Sequence, residues 1–187
     1  MAPDQADFTI MQLARDERRL DENMVVVVLS CDIDFIAISP PLSVNALLDP
    51  TRKTIIWKED VLNLLDLDEE DLFHAYCIGG CDDISHNLFG VGFKKAMRFV
   101  NEHNVSEQSL CEEFESMNEE DLSYLFEEMN ALKSLLWNAP ATVLENLAPE
   151  ESPVSLLQQF ATEMLDGQRR RPGVYSLYLS VCDFFLT

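Results

Sequence analysis

The sequence predicts an α/β fold, and three features carry that prediction. Met24-Val-Val-Val-Val-Leu29 is short, apolar and β-branched, the pattern of a strand buried on both faces as in a parallel sheet. Ile10, Leu13 and Ala14 recur at helical spacing just before it. After residue 105 the apolar positions fall at helical intervals in an acidic background. Leu122, Leu125, Phe126 and Met129 form one stripe, which Leu132, Leu135 and Leu136 extend.

Taken in order, residues 5–19 read as a helix with Asp4 as its cap, and residues 24–29 as the buried strand. Asp32-Ile-Asp34 follows at the strand's carboxyl end, Phe35-Ile-Ala-Ile38 continues the apolar run, and Pro40-Pro41 breaks it. Thr54-Ile-Ile-Trp57 reads as a short strand, and residues 59–65 and 69–78 as two helices. Gly79-Gly80 ends the second, because glycine tolerates the dihedrals a helix terminus needs. A loop, Cys81-Asp-Asp-Ile-Ser-His-Asn-Leu-Phe-Gly-Val-Gly92, then leads into a helix over residues 93–102. Residues 106–166 read as several acidic amphipathic helices punctuated by Pro140, Pro149 and Pro153. From Pro172 the chain is apolar and aromatic without a clear period, and reads either as a final strand or as an irregular end. The organisation expected is a sheet-forming part over 1–70, a helix–two-turn–helix element over 71–104 that could contact DNA, and an acidic helical extension over 105–187.

Hydrophobic residues make up 47% of the 187-residue chain, enough for a core and too many for a disordered one. The run at 24–29 is far short of the roughly 20 residues a membrane span needs, so no membrane partner is expected. The amino terminus lacks a basic start followed by an apolar run, so no secretory signal is expected. The five cysteines are odd in number and scattered, and Cys77 and Cys81 lack a second pair at zinc spacing. They read as reduced, mostly buried thiols of an intracellular protein, nuclear or cytoplasmic. The net charge is −21. Residues 101–166 hold 15 acids and a single base, Lys133. Such a chain repels nucleic acid in bulk, so any contact with it must be local or helped by cations.

Two constellations could carry chemistry. Asp32 and Asp34 follow a buried strand, where sites of open α/β sheets cluster. Two residues apart in extended backbone they would face opposite ways, so they can serve one site only if the chain turns there. They read either as a cap and a solvated acid or as ligands. Asp7, before the strand, and Asp82, after the glycine pair, favour ligands. Carboxylates without histidine or cysteine suit hard ions such as Mg2+ or Mn2+. A pair of such ions roughly 4 Å apart can activate water and stabilise the leaving oxygen of a phosphodiester. The second constellation is Gly90-Val-Gly-Phe-Lys-Lys-Ala96. A Gly-x-Gly turn entering a helix exposes N–H groups to phosphate, and Lys94, Lys95 and Arg98 add charge. It reads otherwise as a glycine turn with a solvated basic face.

Together these residues resemble a known family. Ala2-Pro-Asp-Gln-Ala-Asp7 is similar to the A-P-x-E-A-(D/E) motif of the flap endonuclease/exonuclease (XPG-like) 5′ nucleases. Leu29-Ser-Cys-Asp-Ile-Asp-Phe-Ile-Ala37 resembles their (S/T)-x-D-x-D-(L/I)-(L/I)-x motif. Tyr76-Cys-Ile-Gly-Gly-Cys-Asp82 with Gly90-Val-Gly-Phe-Lys-Lys-Ala96 resembles their C-x-x-x-G-C-D-Y…G-(I/V)-G-x-K-x-A. The order and spacing agree over about residues 2–104. The resemblance implies a partial PIN-like parallel sheet, a helix–two-turn–helix and structure-specific cleavage of flap or nicked DNA by two Mg2+ or Mn2+ ions. It implies Asp7, Asp32, Asp34 and Asp82 as ligands, with Gln5 at a fifth ligand position. It implies Gly90, Val91, Gly92, Lys94, Lys95 and Arg98 as DNA contacts, with a K+ ion at the hairpin.

Several positions depart from that pattern. Gln5 stands where the family has glutamate and removes one negative charge. Asp83 replaces an aromatic residue, Gly79 stands at a common serine beside the K+ site, and the loop from Asp82 to Gly90 is about one residue longer. The family's amino-terminal region, which supplies two further metal-binding aspartates and phosphate-gripping bases, has no counterpart in the sequence. The chain alone is therefore expected to be catalytically incomplete. A degenerate, non-catalytic module whose acidic helices bind a protein partner is the competing expectation.

Overall fold

The computed structural model describes residues 4–138 and 175–179, with side chains from residue 7 to residue 138. Within them the chain divides into two compact units. The first holds residues up to 36, residues 42–58 and the strand at 175–179; the second holds residues 37–41 and 59–138.

The first unit opens with helix α1 (Asp4–Leu20). It buries Ile10, Met11 and Ala14, while Leu13, expected on the same face, is half-buried. Arg18 fixes the helix end by donating to the Leu42 carbonyl at 2.9 Å and to the Met24 carbonyl just before the next strand. Strand β1 (Val25–Leu29) is the centre of a sheet of order β3-β2-β1-β4, with β2 Ala46–Asp49, β3 Thr54–Trp57 and β4 Tyr175–Leu179. β1 runs parallel to both β2 and β4, in register Leu29↔Leu48 and Leu29↔Leu179. Val26, Val27 and Val28 are fully buried, as a β-branched run between two parallel neighbours should be. Val27, Leu29, Ala46, Leu48 and Trp57 form one core cluster. The Asn45 side-chain oxygen accepts from the Val26 N–H at 2.8 Å and starts the β1–β2 pairing.

One expectation is corrected here. The sheet is mixed, not parallel throughout, because β3 runs antiparallel to β2. Only four residues join these strands, far fewer than the dozen or so a parallel crossover needs. After β1 the chain turns, and the apolar run Phe35-Ile-Ala-Ile38 lies mostly in the short helix α2 (Asp34–Ala37), within which the chain passes from the first unit to the second.

The second unit is helical. It contains α3 (Lys58–Leu65, from its second residue), α4 (Glu69–Gly80), α5 (Phe93–Glu102), α6 (Glu107–Glu113) and α7 (Glu119–Trp137). Caps explain the starts. Asp68 accepts from Asp71 N–H, Ser106 and Ser109 form a reciprocal box, and Asn118 accepts from Glu120 N–H. Leu122, Leu125, Met129, Leu132 and Leu136 of α7 are buried at alternating three- and four-residue intervals. Phe126 and Leu135, expected in that stripe, each fall one position off it; Phe126 is half-buried and Leu135 is 48% exposed. Phe73 of α4 meets the Trp137 ring edge-on at 5.2 Å, and Lys133 of α7 reaches Glu70 of α4 at 2.6 Å. The acidic helices expected beyond residue 138 lie outside the described residues.

Candidate metal and nucleic-acid sites

The carboxylates expected as metal ligands fall in both units. Asp7 lies in the first turns of α1 and is half-buried. Gln5 is the second residue of the same helix. Asp32 and Asp34 follow the carboxyl end of β1. The chain turns there, as a shared site would require. The Asp32 N–H donates to Ser30 Oγ at 3.0 Å, and Asp32 Oδ1 accepts from the Asp34 N–H at 3.0 Å. Asp32 thus braces the entry to α2 through Oδ1, and the residue is exposed. Asp82 belongs to the second unit, exposed in the turn closed by Ile84 N–H donating to the Cys81 carbonyl. All these donors are hard oxygens, and among the described residues they suit Mg2+ or Mn2+ better than a soft metal.

Asp49, at the end of β2 and in the sheet position next to the end of β1, was not singled out by the sequence. It is buried, and its carboxylate accepts from Thr51 Oγ1 at 2.6 Å, Thr51 N–H at 2.8 Å and Arg52 N–H at 3.0 Å. The Thr51 hydroxyl first, then the Arg52 N–H, hold it below the usual carboxylate range. This acid is committed to closing the β2–β3 hairpin.

The second constellation lies on a hairpin of helices, α4 and α5, separated by two backbone turns. Gly79 and Gly80 were expected to end α4 just before them; both are instead its last residues. Gly80 adopts φ +106°, which leaves the helix, while Gly79 allows close approach of the helices. A Cβ on Gly79 would sit 2.7 Å from Phe93 Cα and 2.9 Å from Phe93 N, the first residue of α5. The second turn is closed by Val91 N–H donating to the Leu88 carbonyl at 3.0 Å, with Gly90 at φ +79°. Of the three residues expected to offer N–H groups, Val91 therefore has its own engaged, and its side chain is buried. Gly90 and Gly92 are exposed. Gly92 caps α5 without a side chain, so no side-chain oxygen occupies the first N–H groups of the helix.

Lys94, Lys95 and Arg98 are all exposed and, with Gly92, Phe93 and Met97, line an open hollow. Their charges are not equivalent. Arg98 Nε is bound to Glu102 at 2.9 Å, which raises its pKa, and Lys95 Nζ lies 5.0 Å from the centre of the Phe114 ring. The hairpin connection is also held from α7. Ser85 and His86 N–H groups both donate to Glu128 Oε2, at 2.9 and 3.0 Å, and the His86 ring stacks on Tyr124 at 5.0 Å. Burial works against the Glu128 charge, but the His86 and Ser85 donors outweigh it and keep the carboxyl below its usual range. Sequence reasoning missed Glu128. It looks like any other acid of α7, and nothing in its spacing marks it.

Of the five cysteines, the described Cys77 and Cys81 are buried and Cys31 is exposed. No helix among the described residues is long and apolar enough to cross a membrane. The chain matches no protein-family profile, no curated protein and no solved structure.

Proposed function

We propose that this protein acts on DNA in the manner of the 5′ nucleases it resembles. The α4–α5 hairpin holds the phosphate backbone of a duplex at a flap or nicked end. Asp7, Asp32, Asp34 and Asp82, with Gln5 as a neutral oxygen donor, serve two Mg2+ or Mn2+ ions. Such ions, when bound, supply an activated water and charge stabilisation for phosphodiester hydrolysis. A K+ ion at the hairpin belongs to the same reading, as does a nuclear or cytoplasmic location. The observation that carries the proposal is the hairpin itself. Two helices meet backbone to backbone at Gly79, and the second opens with an uncapped glycine followed by exposed Lys94 and Lys95 in a chain of net charge −21. Phosphate contacts of this kind carry no base identity, so binding is indifferent to sequence.

A second reading is favoured by Gln5, which removes one charge from the ligand set, and by Asp32, which braces α2. In it the chain is a non-catalytic DNA-binding or protein-binding module, the acidic helices meeting a protein partner.

The test is a salt titration of duplex binding. With two to three phosphates neutralised, log affinity falls against log salt with a slope of roughly −2 to −3. Lys94→Ala with Lys95→Ala flattens that slope by about 1 to 2. No duplex binding at low salt, or an unchanged slope, refutes the DNA reading. Mg2+-dependent cleavage of a flap substrate that Asp32→Ala abolishes selects the catalytic form. Binding without cleavage selects the module.

A further inference from the structure

Phe89 is 99% exposed, the most exposed aromatic side chain among the described residues. Its neighbours fix it there. Leu88 and Val91, the ends of the turn, are buried and joined by the 3.0 Å hydrogen bond that closes it. Gly90 takes the positive φ the turn requires. Glu128 holds Ser85 and His86 from α7, so the same connection is anchored upstream as well. The ring is thus displayed on a braced turn, three residues before the exposed Gly92 and ahead of the helix whose first turn carries Lys94 and Lys95.

A braced, solvent-facing aromatic ring five and six residues along the chain from exposed cations is a combination that single-stranded nucleic acid can engage. The cations follow the backbone, and the ring offers a face to a base. From this juxtaposition we infer that Phe89 stacks on an unpaired nucleobase where a duplex ends, so that the hairpin reads the junction as well as the phosphates. The inference rests on the DNA reading of the hairpin and names the residue that distinguishes a junction from plain duplex. The flanking charge favours an anionic partner. A membrane surface is a poorer fit, because Leu88 and Val91 are buried and the exposed apolar surface of the turn is a single ring, whereas interfacial anchoring uses an extended apolar face.

The experiment compares a plain duplex with the same duplex carrying a short single-stranded 5′ extension that contains 2-aminopurine. The full-length wild type, Phe89→Ala and Phe89→Trp are used, with circular dichroism to verify that each folds. The wild type is expected to quench the probe and to prefer the extended substrate. Phe89→Ala is expected to lose the quench and to bind the extended substrate roughly tenfold more weakly or worse, as loss of one base–aromatic stack implies. Phe89→Trp is expected to restore both. If the wild type binds both DNAs and Phe89→Ala behaves identically, or loses affinity for both equally, the inference fails while the hairpin reading stands. If the wild type binds neither, both fall. Capture by phosphatidylserine vesicles that depends on Phe89, with no change in probe fluorescence on DNA, would assign the ring to a membrane and overturn the proposal.

Discussion

Replacing Gly79 by alanine tests whether α4 and α5 meet backbone to backbone. Within a helix the change ordinarily stabilises, by about 1 kcal/mol, because alanine has the higher helix propensity. Here the new methyl would stand 2.7 Å from Phe93 Cα and 2.9 Å from Phe93 N. Ordinary carbon contacts lie at about 3.5–4.0 Å, so the helices must separate by roughly 0.8 Å at this point. The obstructing atoms are backbone, so no rotamer change relieves them. Overpacking of this kind costs typically 1–3 kcal/mol. A gap of that size also forfeits a quarter to a half of each neighbouring contact. The clash outweighs the propensity gain, and a net loss of about 1–2 kcal/mol follows. Urea denaturation followed by far-ultraviolet circular dichroism measures it. Gly92→Ser is the control, since a Cβ there meets nothing within 4 Å and the hydroxyl can cap α5; it is expected to gain a few tenths of a kcal/mol. A Gly79→Ala protein as stable as the wild type, or more so, would refute the close approach.

Two further outcomes follow from α4 and α7. His74 is buried, and burial first, then the charge of Lys133, depress its pKa from 6.5 to about 4. The folded form therefore excludes a proton that the unfolded chain accepts. Its contribution is fully present above about pH 6.5 and is lost as pH falls towards 4, by about 3 kcal/mol in all; His74→Leu should remove that dependence, and identical stability–pH curves for the two proteins would contradict it. Glu128→Ala should deprotect the Ser85 and His86 amides in hydrogen exchange while leaving α6 amides unchanged, and Glu128→Gln, which keeps an acceptor, should restore much of the protection; unchanged exchange in Glu128→Ala would show that α7 does not hold the loop.

Much of this structure was legible wherever local patterning and burial agree. β1 is where the β-branched run put it, and α5 spans the residues its periodicity marked, 93–102. The stripe on α7 was readable except at Phe126 and Leu135, because several apolar positions in that segment satisfy helical spacing and only packing selects among them. β2 escaped notice. Ala46-Leu-Leu-Asp49 is four residues long, too short for period to tell strand from helix, and it becomes a strand by pairing with β1 and β3.

The candidate site divides in the same way. Residue type alone determined that Asp7, Asp32, Asp34 and Asp82 are hard-oxygen donors and that Lys94 and Lys95 are rare cations in an acidic chain. It also marked Gly90 as a residue at which a turn is cheap. Tertiary structure decided which of these groups remain available. Arg98 is bound to Glu102, Val91 N–H closes a turn, and one oxygen of Asp32 braces α2. It alone brought Glu128 to the hairpin loop across more than forty residues and left Phe89 in solvent. The physical reason is that a side chain's chemistry is fixed by its covalent structure, whereas its exposure and its hydrogen-bond partners depend on what the rest of the chain packs against it.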